Sequence, residues 1–577
     1  MKPLKVTLIH SWDGEDRNQY FISPPLGVHR IAKWASTKLG PDIDIEVIDP
    51  NLFEPADALD AVTENLWLRQ PDVIGFSPLH LTLENDIAMM LTSAGVCPNA
   101  FFLAGGRQAT TDPDTLFSEF DSLHTVVKGE AELIFVEVLQ SIIRYGVHAV
   151  NSNPAYLAEI SGLLVRGRNR TIRDTGPNPG LSPTVFLLAT RLMDFSDMDV
   201  DKYWEILRGQ YSKEQLDSSD LLSKIFTLKP ITTNFCPMNC SFCDVTSKQR
   251  REIGSDIHVT GLRGKNLEDY VTTLLEIHPQ VRQILFKDDL WFLRGKGAIR
   301  GTKSSPLLYD DLKALQRVRN RFTSRNIVFS GKARVDTFVD PITLQVDWPL
   351  LKATREAGFV SISMGIESFD YDDLIYFNKR LGINGPEVNK IAIRSIEQAG
   401  ISSVSYLILS NNNSTVSSIL KNADSIVELL EESPKHVIKL NDFLFPLPGT
   451  DITEAFNRDT TNLVNETKRF PVPGFPGRFV ERIVKIYPSD PVARQLMVEY
   501  EQTKQSAEHD AKIELSIQHW ISEYSTPANI RLLYDIASKQ KLVEQSYAQA
   551  QNLRLTRILE TFRSEQVEYT SATLTDA

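Results

Sequence analysis

Cysteine is scarce in this chain, with four in 577 residues. That is too few for the disulfide framework of a small secreted domain, and it favours the reducing cytoplasm. No apolar run approaches the ~20 residues that a bilayer-spanning helix needs. Net charge is −12, and no basic run interrupts it, so the electrostatic footprint of a nucleic-acid binder is missing. The opening residues Met1 to His10 carry too short an apolar run for a secretory signal and lack a small-residue cleavage site, so they read as a first strand. No internal repeat stands out. What is present is ordinary for a globular protein, 42% apolar and 24% charged, with room for three or four domains at about 150 residues each.

The few cysteines are not scattered. Three of the four fall in Cys236-Pro237-Met238-Asn239-Cys240-Ser241-Phe242-Cys243, a CxxxCxxC spacing after an apolar, Thr-rich run that reads as a strand. Thiolates this close together are soft ligands for iron or zinc. A structural zinc site wants four ligands, and no second pair follows. Three thiolates instead leave one iron of a 4Fe–4S cluster open to a substrate. The spacing, with an aromatic residue before the last cysteine, resembles the radical SAM superfamily. The resemblance implies Cys236, Cys240 and Cys243 as cluster ligands and catalytic residues, with S-adenosylmethionine (SAM) on the open iron. Cys97, alone before Pro98, reads as a buried structural thiol.

Residues 1–150 alternate short apolar runs (6–9, 45–48, 73–76, 100–104, 125–127) with segments of helical period (27–37, 56–68, 83–93, 132–145). Such alternation predicts a doubly wound parallel sheet that binds ligands beyond the carboxyl ends of its strands. The loops there read Ser23-Pro24-Pro25-Leu26-Gly27, Ser77-Pro78-Leu79-His80-Leu81, Gly105-Gly106-Arg107 and Lys128-Gly129-Glu130. Together they resemble the Rossmann-like cobalamin-binding domain of a large radical SAM class, the class B methyltransferases. The resemblance assigns Pro25, Gly27, Ser77, Leu79, Gly105, Gly106, Gly129 and Glu130 to cobalamin. One departure matters: where other cobalamin proteins carry an Asp-x-His-x-x-Gly run with a cobalt-ligating histidine, this chain has Ile22-Ser23-Pro24-Pro25-Leu26-Gly27. Proline cannot ligate, so the lower face of cobalt would be open, water-bound or shielded by side chains, with Leu79, His80 and Leu81 the nearest candidates. A loop histidine such as His80 is more often bonded to backbone or solvent.

Residues 151–224 read as a connector, with a hairpin-like stretch at 162–166 and a Pro/Gly-rich run to 183. From 225 to 455 a second β/α series follows, with strands at 229–233, 283–286, 327–330, 360–364, 403–409 and 437–443 and helices at 266–277, 307–319 and 386–399. Six such units fit the partial (β/α)6 barrel of radical SAM enzymes, whose chemistry sits at the carboxyl ends of the strands. The polar strand ends suit a zwitterionic sulfonium. Asp288 or Asp289 would accept from the ammonium, Arg334 would hold the carboxylate better than Lys332, Glu367 would hold the ribose hydroxyls, and Phe242 would pack on adenine. Relatives often carry Gly-Gly-Glu after the second strand, whereas the Asp-Asp pair is common in the cobalamin-binding class. A Gly-Pro-Gly turn is replaced by Ser410-Asn411-Asn412-Asn413-Ser414. Residues 456–577 read as mostly helical, with a linker at 471–477, helices at 491–504, 511–523 and 527–563, and a polar tail from 569.

The resemblance implies a cobalamin-dependent C-methyltransferase that moves a methyl group from SAM through methylcobalamin to a carbon of a biosynthetic intermediate, small-molecule or peptide. It also implies an external one-electron reductant of flavodoxin or ferredoxin type. Three alternatives stay open: a rearrangement, ring contraction or cyclisation without methyl transfer; a polar methylation; and a non-catalytic cobalamin- or redox-sensing module.

Overall fold

In a parallel sheet covered on both faces, successive residues of each strand feed opposite hydrophobic layers. In β4 (Phe101–Ala104), Phe101 and Leu103 enter one core, and Phe102 and Ala104 the other. The computed structural model describes residues 2–14, 22–167, 169–211, 224–234, 236–245, 259–292, 306–433, 436–458, 465–511 and 526–572. Its first sheet contains β1 (Leu4–His10), β2 (Ile43–Ile48), β3 (Val73–Ser77), β4 and β5 (Thr125–Val127), all parallel, in the order β2-β1-β3-β4-β5. The helices Leu26–Leu39 and Glu132–Tyr145 cover one face, through Val28, Ala35, Val138 and Ile142. The helices Ala58–Arg69 and Leu83–Val96 cover the other, through Val62, Leu66, Ile87 and Met90. Strand order reverses between β1 and β3, the position at which such sheets open a crevice.

The sheet does not stop at residue 150. The expected connector adds β6 (Leu163–Arg166) and β7 (Ile172–Asp174), both antiparallel, beyond β5. Its later part supplies the helices Pro183–Arg191 and Val200–Gly209.

The second sheet is parallel and runs in sequence order: β8 (Thr227–Leu228), β9 (Gln283–Leu285), β10 (Val328–Ala333), β11 (Phe359–Glu367), β12 (Ser402–Ser410) and β13 (Val437–Phe443). Sequential order with helical crossovers gives an open half-barrel, as the six-unit pattern predicts. The strand expected at 229–233 is the exception. Its ladder covers Thr227 and Leu228 only, and the chain beyond is held by single backbone bonds, Lys287 N to Pro230 O and Leu262 N to Thr232 O, and by the side chain of Asp288.

The C-terminal region is not helical throughout. β14 (Asn465–Pro471) and β15 (Phe479–Ile486) form an antiparallel hairpin, and the expected linker is its turn. Val472 and Val480 are buried in a core of the first domain, so this hairpin reaches back across the molecule. The helices Pro491–Ala511, Thr526–Lys539 and Gln545–Ala572 follow. The pattern at 527–563 is thus broken between two helices, near Lys541 with its positive φ of 59°. The helix expected at 511–523 falls, after Ala511, outside the described residues, as does the end of the tail from 573. No described helix is long and apolar enough to cross a membrane.

Candidate functional site

The cysteine loop is positioned by one buried carboxylate. Asp288, just past β9 and 1% exposed, accepts from Thr232 N (2.7 Å), Thr232 Oγ1 (2.9 Å), Thr233 Oγ1 (2.7 Å) and Thr233 N. These bonds fix the chain three residues before Cys236, and burial raises the Asp288 pKa against the lowering effect of the donors. Beyond it, Ser241 N donates to Phe377 O (3.1 Å), Ser241 Oγ to Tyr376 O (2.6 Å) and Asn378 Nδ2 to Asn239 O (2.5 Å). The three cysteines form no disulfide among the described residues and are half-buried. Burial pushes the Cys236 thiol up to about 11 and the Cys243 thiol up to about 12, and the neighbouring thiols add to both shifts.

Among the described residues, no three His, Cys, Asp or Glu side chains converge on one point as a single ion would require. A cluster does not require that, since each thiolate takes its own iron. Three soft donors within electrostatic reach of one another, flanked by the cations Arg334 and Lys379, fit such a group.

The expected SAM residues surround this loop. Asp288 and Asp289 have parted: Asp288 spends its oxygens on the chain itself, while Asp289 lines a cavity and accepts from Arg107 Nη2 (3.3 Å). Arg334 is forked onto Asp336, with Nε at 2.8 Å and Nη2 at 3.0 Å, and Nη2 also reaches Lys379 O at 2.9 Å. Glu367 sits at the end of β11 with φ 63°, and its Oε1 pairs with Lys379 Nζ at 3.2 Å. A side chain at Gly365 could not coexist with this pair, because a Cβ there would lie 2.3 Å from Glu367 Oε1 and 3.2 Å from Lys379 Nζ. Phe242 stands edge-on to Phe377 at 5.2 Å and packs beside Ile408, Leu444 and Ile452.

Lys379 and Asp336 were not anticipated. Neither carries a sequence signal, since each is identified only by the side chain it meets across a loop.

The cavity, about 280 Å³, lies at the carboxyl ends of the first sheet and opens toward the start of the barrel. Gly27, Ser77, Gly105, Gly106, Gly129 and Glu130 line it, as do Pro230, Thr233, Lys287 and Asp289 from the second domain. Gly106 adopts φ 86°, and a Cβ there would stand 3.0 Å from Ser77 Oγ, so the wall is bare by steric necessity. Glu130 accepts from Leu181 N (2.9 Å), and burial, with Glu132 nearby, raises its pKa to about 7.

Two expected residues are off the wall. Pro25 caps the helix that follows, its carbonyl accepting from His29 N at 3.3 Å. Leu79 starts a short 3-10 turn, with its N–H given to Asp86 at 2.9 Å. His80 is off it as well. Its ring lies edge-on to Phe445 at 5.6 Å with both nitrogens buried, and burial lowers its pKa to about 4. Arg107, directly after the glycine pair, spans the domains. Nη1 lies 3.8 Å from Asp244, the residue after Cys243, and burial is outweighed by Asp289 and Asp244 so that its pKa is raised. Its position beside two glycines at a strand end was the available signal.

Residues 230–424 match the Radical SAM superfamily. An uncharacterized methyltransferase of Pyrococcus horikoshii is 21% identical over 388 residues, 67% of this chain and 69% of that protein. Among solved structures, the cobalamin-dependent S-adenosylmethionine radical enzyme OxsB with aqua-cobalamin bound superposes with a TM-score of 0.61 at 15% identity, covering 100% of this chain and 82% of that one. The same enzyme with aqua-cobalamin and S-adenosylmethionine gives 0.56 at 15% identity, covering 98% and 84%. Residues 230–424 are thus a radical SAM domain, and the chain as a whole shares its fold with that cobalamin-dependent radical enzyme.

Proposed function

We propose that the protein is a cobalamin-dependent radical SAM C-methyltransferase acting on a carbon of a biosynthetic intermediate. The observation that carries this reading is the continuity of the two sites. The glycine-walled cavity of the first sheet shares Asp289 and Lys287 with the barrel, and Arg107 joins it to the residue after Cys243.

When bound, a 4Fe–4S cluster with SAM and a methylcobalamin would together supply hydrogen abstraction and a transferable methyl group. The chain's own residues would do the holding. Cys236, Cys240 and Cys243 would each take one iron. Asp289 would accept from the ammonium of SAM, Arg334 would face its carboxylate while Asp336 keeps the guanidinium oriented, and Glu367 would accept from the ribose. Gly105, Gly106 and Gly129 would let the backbone approach the cobalamin tail. Among the described residues, no histidine lines the cavity. The buried walls would exclude water from the reacting groups.

The test is metal analysis of anaerobically reconstituted protein, followed by turnover with methyl-labelled SAM. The expected result is roughly four irons per chain, as the cluster type requires, together with stoichiometric cobalt and label in product. Cys240→Ala should lose the iron and all SAM cleavage. Iron without cobalt would reduce the reading to an ordinary radical SAM enzyme. Deoxyadenosine formation with unlabelled product would make the reaction a rearrangement.

A further inference from the structure

The concave wall of the half-barrel carries several cations, three of which no acid among the described residues offsets. Along β9, Ile284 and Phe286 enter the outer core, so Lys287 between Phe286 and Asp288 faces inward. By the same alternation Lys332 faces inward beside outward Phe329 and Ala333, Lys439 beside Ile438, and Lys229 beside Leu228. The ladder pairs Ser330 with Leu285, which brings Lys332 opposite Lys287 one pleat further on. Lys439 is paired with Tyr406, whose ring lies 5.6 Å from its Nζ. Ser361 and Ser363 occupy the same wall of β11, between core-facing Ile362 and Met364. All four lysines are half-buried.

The acids of the barrel mouth are already matched to other cations: Asp289 to Arg107, Asp336 to Arg334 and Glu367 to Lys379. Among the described residues, Lys229, Lys287 and Lys332 make no ion pair or side-chain hydrogen bond. Burial first, then mutual repulsion, pushes both Lys229 and Lys287 down to about 8. The neighbours that repel Lys287 are Lys332, Lys439 and Arg107. Such crowding of like charges is unfavourable, and a bound anion relieves it, a multiply charged one most. The single carboxylate of SAM has Arg334. The single charge of a cobalamin phosphodiester in the glycine-walled cavity, which Lys287 also lines, would still leave Lys229 and Lys332 to be matched. Compact ammonium groups, each with three donors, suit a tetrahedral oxyanion.

We propose that this wall is an anion site and that the substrate enters as a phosphate or diphosphate ester, held by Lys229, Lys287 and Lys332. Calling the bound ester a substrate rests on the methyltransferase reading; the anion site does not. The serines and Tyr406 would bond the organic part, whose reacting carbon would then lie toward the cysteine loop.

The test titrates iron- and cobalt-replete protein with inorganic pyrophosphate by calorimetry, with citrate as a polycarboxylate control. Saturable pyrophosphate binding is expected, tighter than citrate. Lys287→Gln should weaken it about tenfold, as the loss of one charge-assisted contact would, and Lys229→Gln with Lys287→Gln should weaken it further. Lys332→Gln provides an independent arm should Lys287→Gln fold poorly. Iron content should stay at the wild-type level in every variant, and cobalt content in Lys332→Gln. Absent binding, binding that the substitutions leave unchanged, or preference for citrate would overturn the proposal. So would loss of cobalt in Lys332→Gln, which would assign the lysines to the cobalamin tail. If the protein retains no cobalt, the functional reading fails instead, and pyrophosphate binding still decides the anion site by itself.

Discussion

Asp288 and Asp289 are adjacent and do opposite things. Asp288 is a buried acceptor for four donors, and removing it leaves all of them unsatisfied. Asp288→Ala should cost on the order of 3 kcal/mol in chemical denaturation and lose iron by releasing the cysteine loop. Asp289 meets an Arg107 that is half exposed, a contact worth less than about 1 kcal/mol. Asp289→Asn should therefore keep its stability and iron while SAM binding weakens.

His124 tests burial by pH. Its Nδ1 accepts from Phe102 N at 3.0 Å, its ring stacks on Phe101 at 4.9 Å, and burial lowers its pKa to about 4. Unfolded, the ring titrates near 6.5, so its contribution is complete above that pH and is lost as pH falls toward 4. In that window the slope is about 1.4 kcal/mol per pH unit. His124→Gln, whose amide oxygen can still accept from Phe102, should remove this one-proton component from stability measured between pH 6.5 and 4.

At the scale of elements, the β14–β15 hairpin joins the molecule's ends. Arg482, its side chain 8% exposed, is paired with Glu84 in the helix Leu83–Val96, donates to Leu81 O at 2.9 Å and covers the Phe470 ring at 3.9 Å. Arg478 donates to Glu119 on the same domain. Arg482→Ala leaves the carboxylate of Glu84 without its partner and should cost about 3 kcal/mol. The expected signature is earlier proteolytic cleavage in the turn between the two strands, with iron content unchanged. The turn's Pro-Val-Pro-Gly-Phe-Pro-Gly composition reads as a linker because turns and linkers share residues. What made it a docking element was a partner surface some 360 to 400 positions away in sequence.

For the whole molecule, the cavity exists because two sheets present their carboxyl ends to each other. Gly106→Ala places a Cβ against Ser77 and forces a left-handed backbone at about 1 kcal/mol. It should lower cobalt retention several-fold while leaving iron and the barrel intact, read as the cobalt-to-iron ratio after reconstitution. The converse, equal loss of both metals, would mean that the domains do not hold their cofactors separately.

The cysteine motif was legible because its ligands lie within one short loop, where spacing in the chain is spacing in space. The strand-helix alternation was legible because burial on two faces dictates composition residue by residue, and glycines at strand ends mark close approach without any knowledge of the partner. Pro25 and Leu79 share those loops, yet are not on the cavity lining, and their backbones instead cap or lead into the helix that follows. Asp288 turned inward because Thr232 and Thr233 offered four donors. The Glu367–Lys379 pair, the Arg107 bridge and the lysine wall all depend on the register of strands and the docking of domains. The sequence by itself therefore determined the two folds and the soft-metal loop, because local spacing and periodicity suffice for those. Only the tertiary structure decided which charges are matched and which are left facing the barrel, because charge pairing is a property of distance in space.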